Sequence, residues 1–417
     1  MLPPNIIKEE LPMKEYEHRK AAVSLTVTDV QGSPLKNTRL HIRQTGHEFL
    51  FGCGAFDVMS YVNCTEPSDR ELLSVRAKKW LDVFNYGTLP FYWGTYEPAE
   101  GCVQKEKRSA AADYLRKRSV RLKGHPLCWH TVCADWLLKY DDETILKKQL
   151  ERIEREVGAF KGSIDMWDVI NETVIMPVFD KYDNAVTRIC NYIGRIPLIK
   201  RVFEEAKKAN PEAVLLINDF NTSEAYERVI EECLSAGVPI DVIGIQSHQH
   251  QGYWGREKLE DVLERFGRFG LPIHFTENTL LSGSLVPPHI EDLNDYHKDD
   301  WQSEPEAEEL QKNQLEEMFK ILFDAPSVKA VTMWDFSDGA WLNAPSGLLR
   351  RDGSSKPAYD MLKRLVKDDW NTEYDIITDE HGHADIYGFK GGYTAVYGEK
   401  TVGFTIDGIN GTQSIII

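Results

Sequence analysis

A chain of 417 residues with 42% apolar and 11% aromatic side chains can bury a large core, enough for one big domain and a small accessory module. Its formal net charge of −17 argues against nucleic acid and anionic membrane as partners, since both repel an acidic surface, and leaves neutral polymers open. Seven cysteines, an odd and scattered set, give neither a disulfide framework nor a zinc-ligand spacing and read mostly as free, buried thiols.

The first residues, Met1-Leu2-Pro3-Pro4-Asn5, lack the basic-then-apolar order of a secretion signal, and no apolar run could span a bilayer. A cytoplasmic enzyme and a mature secreted form both fit. Residues 22–51 alternate apolar and polar positions, as in Val23-Ser24-Leu25-Thr26-Val27, then turn at Gln31-Gly32-Ser33-Pro34 before Leu40-His41-Ile42-Arg43, which predicts a β-hairpin.

From there the rhythm becomes strand, loop, helix. Apolar runs ending in polar or aromatic residues occur at 50–56, 83–88, 121–129, 165–172, 214–220, 242–248, 272–277 and 330–336, with helical periodicity between them, for instance at 146–160 and 198–210. Eight such units predict an α/β fold, a (β/α)₈ TIM barrel, with its active site at the C-terminal ends of the strands. A doubly wound sheet is the runner-up, disfavoured because no Gly-rich phosphate loop follows a strand. Residues 374–417 return to short β-rich stretches broken by Gly382, Gly391-Gly392, Gly398 and Gly408-Ile409-Asn410-Gly411. The expected division is an N-terminal β segment (1–49), a catalytic barrel (50–369) and a C-terminal β segment (370–417), the two β segments forming one module that braces the barrel.

Two strands close on a carboxyl: Trp167-Asp168-Val169-Ile170-Asn171-Glu172 is the fourth and Pro272-Ile273-His274-Phe275-Thr276-Glu277 the seventh. In a barrel both would reach one cleft, and two facing carboxyls are the apparatus of glycosidic bond hydrolysis. Other strand ends add sugar-binding chemistry: His125 and Trp129 after strand three, Gln246 and His248 after strand six, and Trp334 and Trp341 after strand eight. Indole faces stack on pyranose C–H faces, and amides and imidazoles bond hydroxyls. Trp80, Trp167 and Trp301 read as core, Asp168 and Asp219 as buried hydrogen-bonding groups, and the acidic run 304–309 as a solvated helix start. Cys128 and Cys133 flank His130 without a further ligand set, so no metal is expected, and carboxyls with water need no cofactor.

These residues, in this order, resemble glycoside hydrolase family 10, the endo-β-1,4-xylanases, over residues 51–365. The resemblance rests on Gly124-His125-Pro126-Leu127-Cys128-Trp129-His130, Trp167 to Glu172, Asn218-Asp219-Phe220-Asn221, Gly244-Ile245-Gln246-Ser247-His248, Thr276-Glu277, and Gly347-Leu348-Leu349 leading to Lys356-Pro357-Ala358-Tyr359. It implies a retaining hydrolase of xylan or xylo-oligosaccharides with Glu172 as acid/base and Glu277 as nucleophile, their carboxyls roughly 5–5.5 Å apart. It further implies that Asn171, His125 and Gln246 contact the −1 sugar, that His248 supports the nucleophile, and that Trp129 and Trp341 form aromatic walls.

Two departures stand out. The family follows strand two with a Glu-Asn pair and then a Lys-Trp pair that bind xylose, whereas this chain reads Thr88-Leu89-Pro90-Phe91-Tyr92-Trp93. Each charge-assisted bond lost there is worth about 1.5–3 kcal/mol, which weakens ordinary xylan binding at −2. The family's Glu-Leu-Asp at the nucleophile is Glu277-Asn278-Thr279 here, so the carboxylate that orients the supporting histidine is absent and an altered pH profile is expected. Alternatives are a retaining β-glycosidase with a different or substituted substrate, and a non-hydrolytic carbohydrate-binding barrel.

Overall fold

The computed structural model describes residues 16–409 and 411–417; the N-terminal stretch 1–5 and Asn410 of the last glycine-flanked turn lie outside them. The chain divides into two compact units, Met1–Leu50 with Met361–Ile417, and Phe51–Asp360.

The first unit holds two sheets. In one, Lys20–Thr28 lies between His383–Phe389, to which it is antiparallel, and Thr412–Ile416, to which it is parallel. The other is antiparallel throughout, ordered Glu373–Ile377, Arg39–His47, Gly391–Tyr397, Lys400–Ile406. The hairpin expected at 22–51 does not form: Lys20–Thr28 and Arg39–His47 belong to different sheets. The same alternation explains why. Val23, Leu25 and Val27 from one strand and Leu40 and Ile42 from the other share a single core with Ile386, Tyr393, Ala395 and Ile415. Two half-apolar strands can bury those faces by stacking in separate layers as well as by pairing edge to edge.

In the second unit eight strands close into a barrel: Leu50–Gly54, Tyr86–Pro90, Arg121–His125, Met166–Asn171, Val214–Asp219, Val242–Gln249, Ile273–Leu280 and Val328–Met333, here strands one to eight. The ladders between consecutive strands from one to eight are parallel. This is the (β/α)₈ barrel that the pattern of runs predicts. Strands one, two and seven are buried at every position, as a parallel sheet covered by helices requires. The helix Asp142–Ala159 buries Ile145, Gln149, Ile153 and Val157 on one stripe, and Asp141 caps it by accepting from the Thr144 amide. Gly124 is required by packing: a Cβ there would meet the Trp167 ring at 2.1 Å.

Two ladder irregularities aim the carboxyl strands. Strand four slips against strand five between Asp168 and Ile170. Strand seven slips against strand six, so that Phe275 opposes Ile245 but Glu277 opposes Gln246. An inserted residue turns the following side chains relative to the pleat, a device common beside active sites. Strand seven also runs on to Leu280, past the point where the sequence places its end. The acidic run opens the helix Pro305–Asp324 as expected, but Glu308 is buried and bonded to Arg350 rather than solvated.

Candidate active site

Glu172 is the first residue beyond strand four, and its backbone is left-handed, with φ 56°. A side chain in that region costs about 1–2 kcal/mol, so neighbouring bonds must hold it there. The Glu172 amide donates to Asn218 O at 2.8 Å, and the Asp219 carboxylate accepts from Thr173 Oγ1 and the Val174 amide at 3.1 and 3.0 Å. The strained turn therefore rests on the end of strand five.

Glu277 is fully inside the barrel mouth. Its Oε1 accepts from Asn218 Nδ2 at 2.8 Å, its Oε2 lies 3.2 Å from His248 Nε2, and His125 Nδ1 is 3.8 Å from Oε1. Asn218 also donates to Asn171 Oδ1 at 2.7 Å and accepts from Thr276 Oγ1 at 2.6 Å, while Asn171 Nδ2 reaches Glu172 Oε1 at 3.2 Å. Two amides, Asn171 and Asn218, thus link the two carboxyl groups. Gln246 Nε2 adds a bond to Asn171 Oδ1 at 3.0 Å.

The environments of the two carboxyls differ in sign. Burial pushes Glu172 up from an ordinary 4.5 to about 8; the facing Trp129 indole and Gln246 amide oppose this, and the Asp219 and Glu277 charges add to it. For Glu277 burial acts in the same upward sense, but the His125 and His248 imidazoles and the Lys123 ammonium outweigh it and hold the carboxyl below its usual range. At neutral pH Glu172 keeps its proton and Glu277 is ionised, so the two carboxyls stand in different protonation states side by side.

Below Glu277, the buried Asp168 carboxylate sits 2.6 Å from Lys123 Nζ and 2.7 Å from His125 Nδ1. Burial would raise it, yet Lys123 and His125 keep it low, so Asp168 orients His125 rather than titrating. The aromatic walls meet around these groups. Trp334 stands edge-on to His125 and His248, at 5.2 and 6.1 Å between ring centroids, and Trp341 covers His248 at 4.5 Å. Trp129 lies 6.2 Å from His125. The structure therefore brings Glu172, Glu277, His125, Trp129, Asn171, Gln246, His248, Trp334 and Trp341 into one cleft at the C-terminal mouth.

Comparison with known families decides the affiliation: the model of glycosyl hydrolase family 10 matches residues 90–365, more than half of the chain. The chain belongs to glycosyl hydrolase family 10. This family 10 member is 28% identical over 307 residues to the endo-1,4-beta-xylanase/feruloyl esterase of Xylanibacter ruminicola, an alignment covering 66% of the chain and 40% of that protein. It is 26% identical over 323 residues to endo-1,4-beta-xylanase B of Thermotoga neapolitana, covering 72% of the chain and 85% of that protein. Xylanase 10B of Thermotoga petrophila, solved with xylobiose, shares the fold with a TM-score of 0.62 at 23% identity, over 77% of this chain and 95% of that one. The chain is a glycoside hydrolase.

Several residues at the family 10 cleft were not singled out by their position in the sequence. Asn218, read only as part of a strand end, is the donor shared by Asn171 and Glu277. His130 is buried 3.7 Å from Glu172 Oε2, with the tilted Phe179 ring 4.4 Å away, and burial pushes it down to about 4, so it stands neutral beside Glu172. Of the atypical strand-two segment, Leu89, Phe91 and Trp93 are core, and Tyr92 alone faces the cleft, 5.7 Å from both His125 and Trp129. Burial and then the Glu277 and Glu172 charges push its phenol well above the ordinary value. The position of the missing family carboxylate is taken by Thr279, whose hydroxyl lies 3.1 Å from His248 Nδ1. Among the described residues no three His, Cys, Asp or Glu side chains gather as a metal site, and no helix is long and apolar enough to cross a membrane. Cys128 is buried behind the cleft and Cys133 partly so, both as free thiols.

Proposed function

We infer that this family 10 hydrolase cleaves β-1,4-xylosidic bonds in xylan or xylo-oligosaccharides with retention of configuration. The observation carrying the reading is the opposite displacement of two carboxyls on facing strands, joined through Asn171 and Asn218. Glu277, ionised, attacks the anomeric carbon while Glu172 gives its proton to the departing glycosidic oxygen; Glu172, now ionised, takes a proton from the water that releases the glycosyl-enzyme. In this reading Asn171 bonds the 2-hydroxyl of the −1 sugar, with His125 and Gln246 contacting the same sugar and Trp129, Trp334 and Trp341 as walls. The names of the two xylanase relatives support the choice of substrate.

A second substrate reading has its own observation. Tyr92 replaces the charged and amide groups by which the family holds xylose beyond −1, so a substituted xylan or another β-glycoside would use that wall differently. The test is chromatography and NMR of products from linear xylo-oligosaccharides, glucuronoxylan and arabinoxylan, with wild type and Glu277→Ala. β-Anomeric xylo-oligosaccharides from wild type alone are expected. Release of the α-anomer would overturn retention, and no release from any of these substrates would overturn the xylan assignment.

A further inference from the structure

Residues 281–304, between strand seven and the helix Pro305–Asp324, form a connection far longer than the 12–15 residues beyond which such segments are usually functional or disordered. This one is built. Leu281, Val286 and Trp301 make a small core with Ala344, against which Ile290, Leu293, Tyr296 and Leu342 pack. Trp301 Nε1 donates to Ser284 O at 2.9 Å, and Lys298 Nζ reaches Ser284 Oγ at 2.7 Å.

Its footings lie on three different loops. After strand eight, Asn343 Nδ2 donates to the carbonyls of Lys298 and Asp299 at 3.0 and 2.9 Å. After strand six, Gln251 Nε2 donates to Pro287 O and Ile290 O at 3.0 and 2.7 Å, and the Val286 amide bonds His250 O at 2.9 Å. After strand four, Lys181 Nζ lies 2.7 Å from Asp292 Oδ2 and 2.6 Å from Asp295 Oδ2. Strands four and eight are opposite one another in the closed order, so one segment ties together loops on both sides of the mouth.

The last footing belongs to the loop that carries Glu172. Lys181 belongs to the loop that starts at Glu172, and Phe179 of that loop packs at a tilt against His130, which is 3.7 Å from Glu172 Oε2. Because Glu172 protonates the departing oxygen, this is the side on which the leaving group lies.

We propose that residues 281–304, latched to Lys181 through Asp292 and Asp295, arch over the leaving-group side of the cleft and make the enzyme select substrates with short leaving groups over internal sites in a long polymer. The proposal rests on the reading of the chain as a hydrolase of β-linked xylose chains. The arch is held by a buried core, whereas its latch is an exposed cluster, with side-chain exposures of 39% for Lys181, 32% for Asp292 and 62% for Asp295. Such pairs hold weakly, so the latch can be opened without unfolding the loop.

The test uses the full chain, wild type, Lys181→Glu, and Lys181→Glu combined with Asp292→Lys and Asp295→Lys. Each is assayed on linear xylo-oligosaccharides labelled at the reducing end and on soluble linear xylan. Wild type is expected to release short labelled fragments and to favour oligosaccharides. Lys181→Glu, which repels both aspartates, should raise the polymer-to-oligosaccharide ratio of kcat/KM by about fivefold and lengthen the labelled fragment, and the charge-swapped variant should restore the wild-type ratio. Long labelled fragments from wild type, or the same ratio in wild type and Lys181→Glu, would overturn the arch. Should the xylose series resist hydrolysis while a cello-oligosaccharide series is cleaved, the substrate reading fails, and the same ratio on the glucose series decides the arch.

Discussion

Replacing Glu172 by glutamine is expected to make the folded chain more stable in alkali while it removes the proposed acid. The Glu172 side chain is 15% exposed, and burial lifts its carboxyl from 4.5 to about 8. The folded chain therefore holds this proton more tightly than the unfolded one. The resulting contribution to stability is present in full below pH 4.5 and is lost as pH rises through about 8. The displacement corresponds to about 5 kcal/mol as an upper bound; water in the cleft reduces it to roughly 2–3 kcal/mol. Glutamine keeps the shape and has no proton to lose. In urea unfolding between pH 5 and pH 9, the stability difference between Glu172→Gln and wild type should move by that amount in favour of the variant. Over the same range, wild-type kcat/KM should fall with an alkaline limb near 8 that the variant, assayed on substrates with good leaving groups, does not show. Stability curves that stay parallel from pH 5 to pH 9 would refute the account of a carboxyl held neutral by burial.

Thr279→Asp would set a carboxylate against His248 Nδ1, hold that ring as a cation and draw Glu277 further down, so the acid limb of kcat/KM should shift to lower pH; an unmoved limb counts against the role given to Thr279. Because Thr279 is wholly buried, the same variant should also unfold at lower temperature, measured by calorimetry. Asn218→Ala removes the donor shared by Asn171 and Glu277, one of whose bonds is charge-assisted and worth about 1.5–3 kcal/mol. A loss of roughly 10–100-fold in kcat/KM is expected, and a change under about twofold would show that Asn218 does not position the nucleophile.

Much of this molecule is local in origin. Eight apolar runs of strand length, each ending in polar residues and separated by helical periodicity, call for a parallel sheet covered on both faces, and with no Gly-rich phosphate loop to favour an open, doubly wound sheet the closed barrel was legible from pattern alone. The two glutamates were legible for the same reason, since each ends or nearly ends such a run. What the tertiary structure decided depends on groups far apart in sequence. The pairing of Lys20–Thr28 and Arg39–His47 with different sheets came from a shared core that either arrangement of alternating strands could have supplied. Glu172 and Glu277 hold opposite protonation states because burial acts on both, but only Glu277 has Lys123 and His125 of strand three and His248 of strand six brought against it by the closing of the barrel. The link through Asn218 and the course of residues 281–304 arise likewise from contacts across the mouth of the barrel, where sequence spacing carries no information about distance.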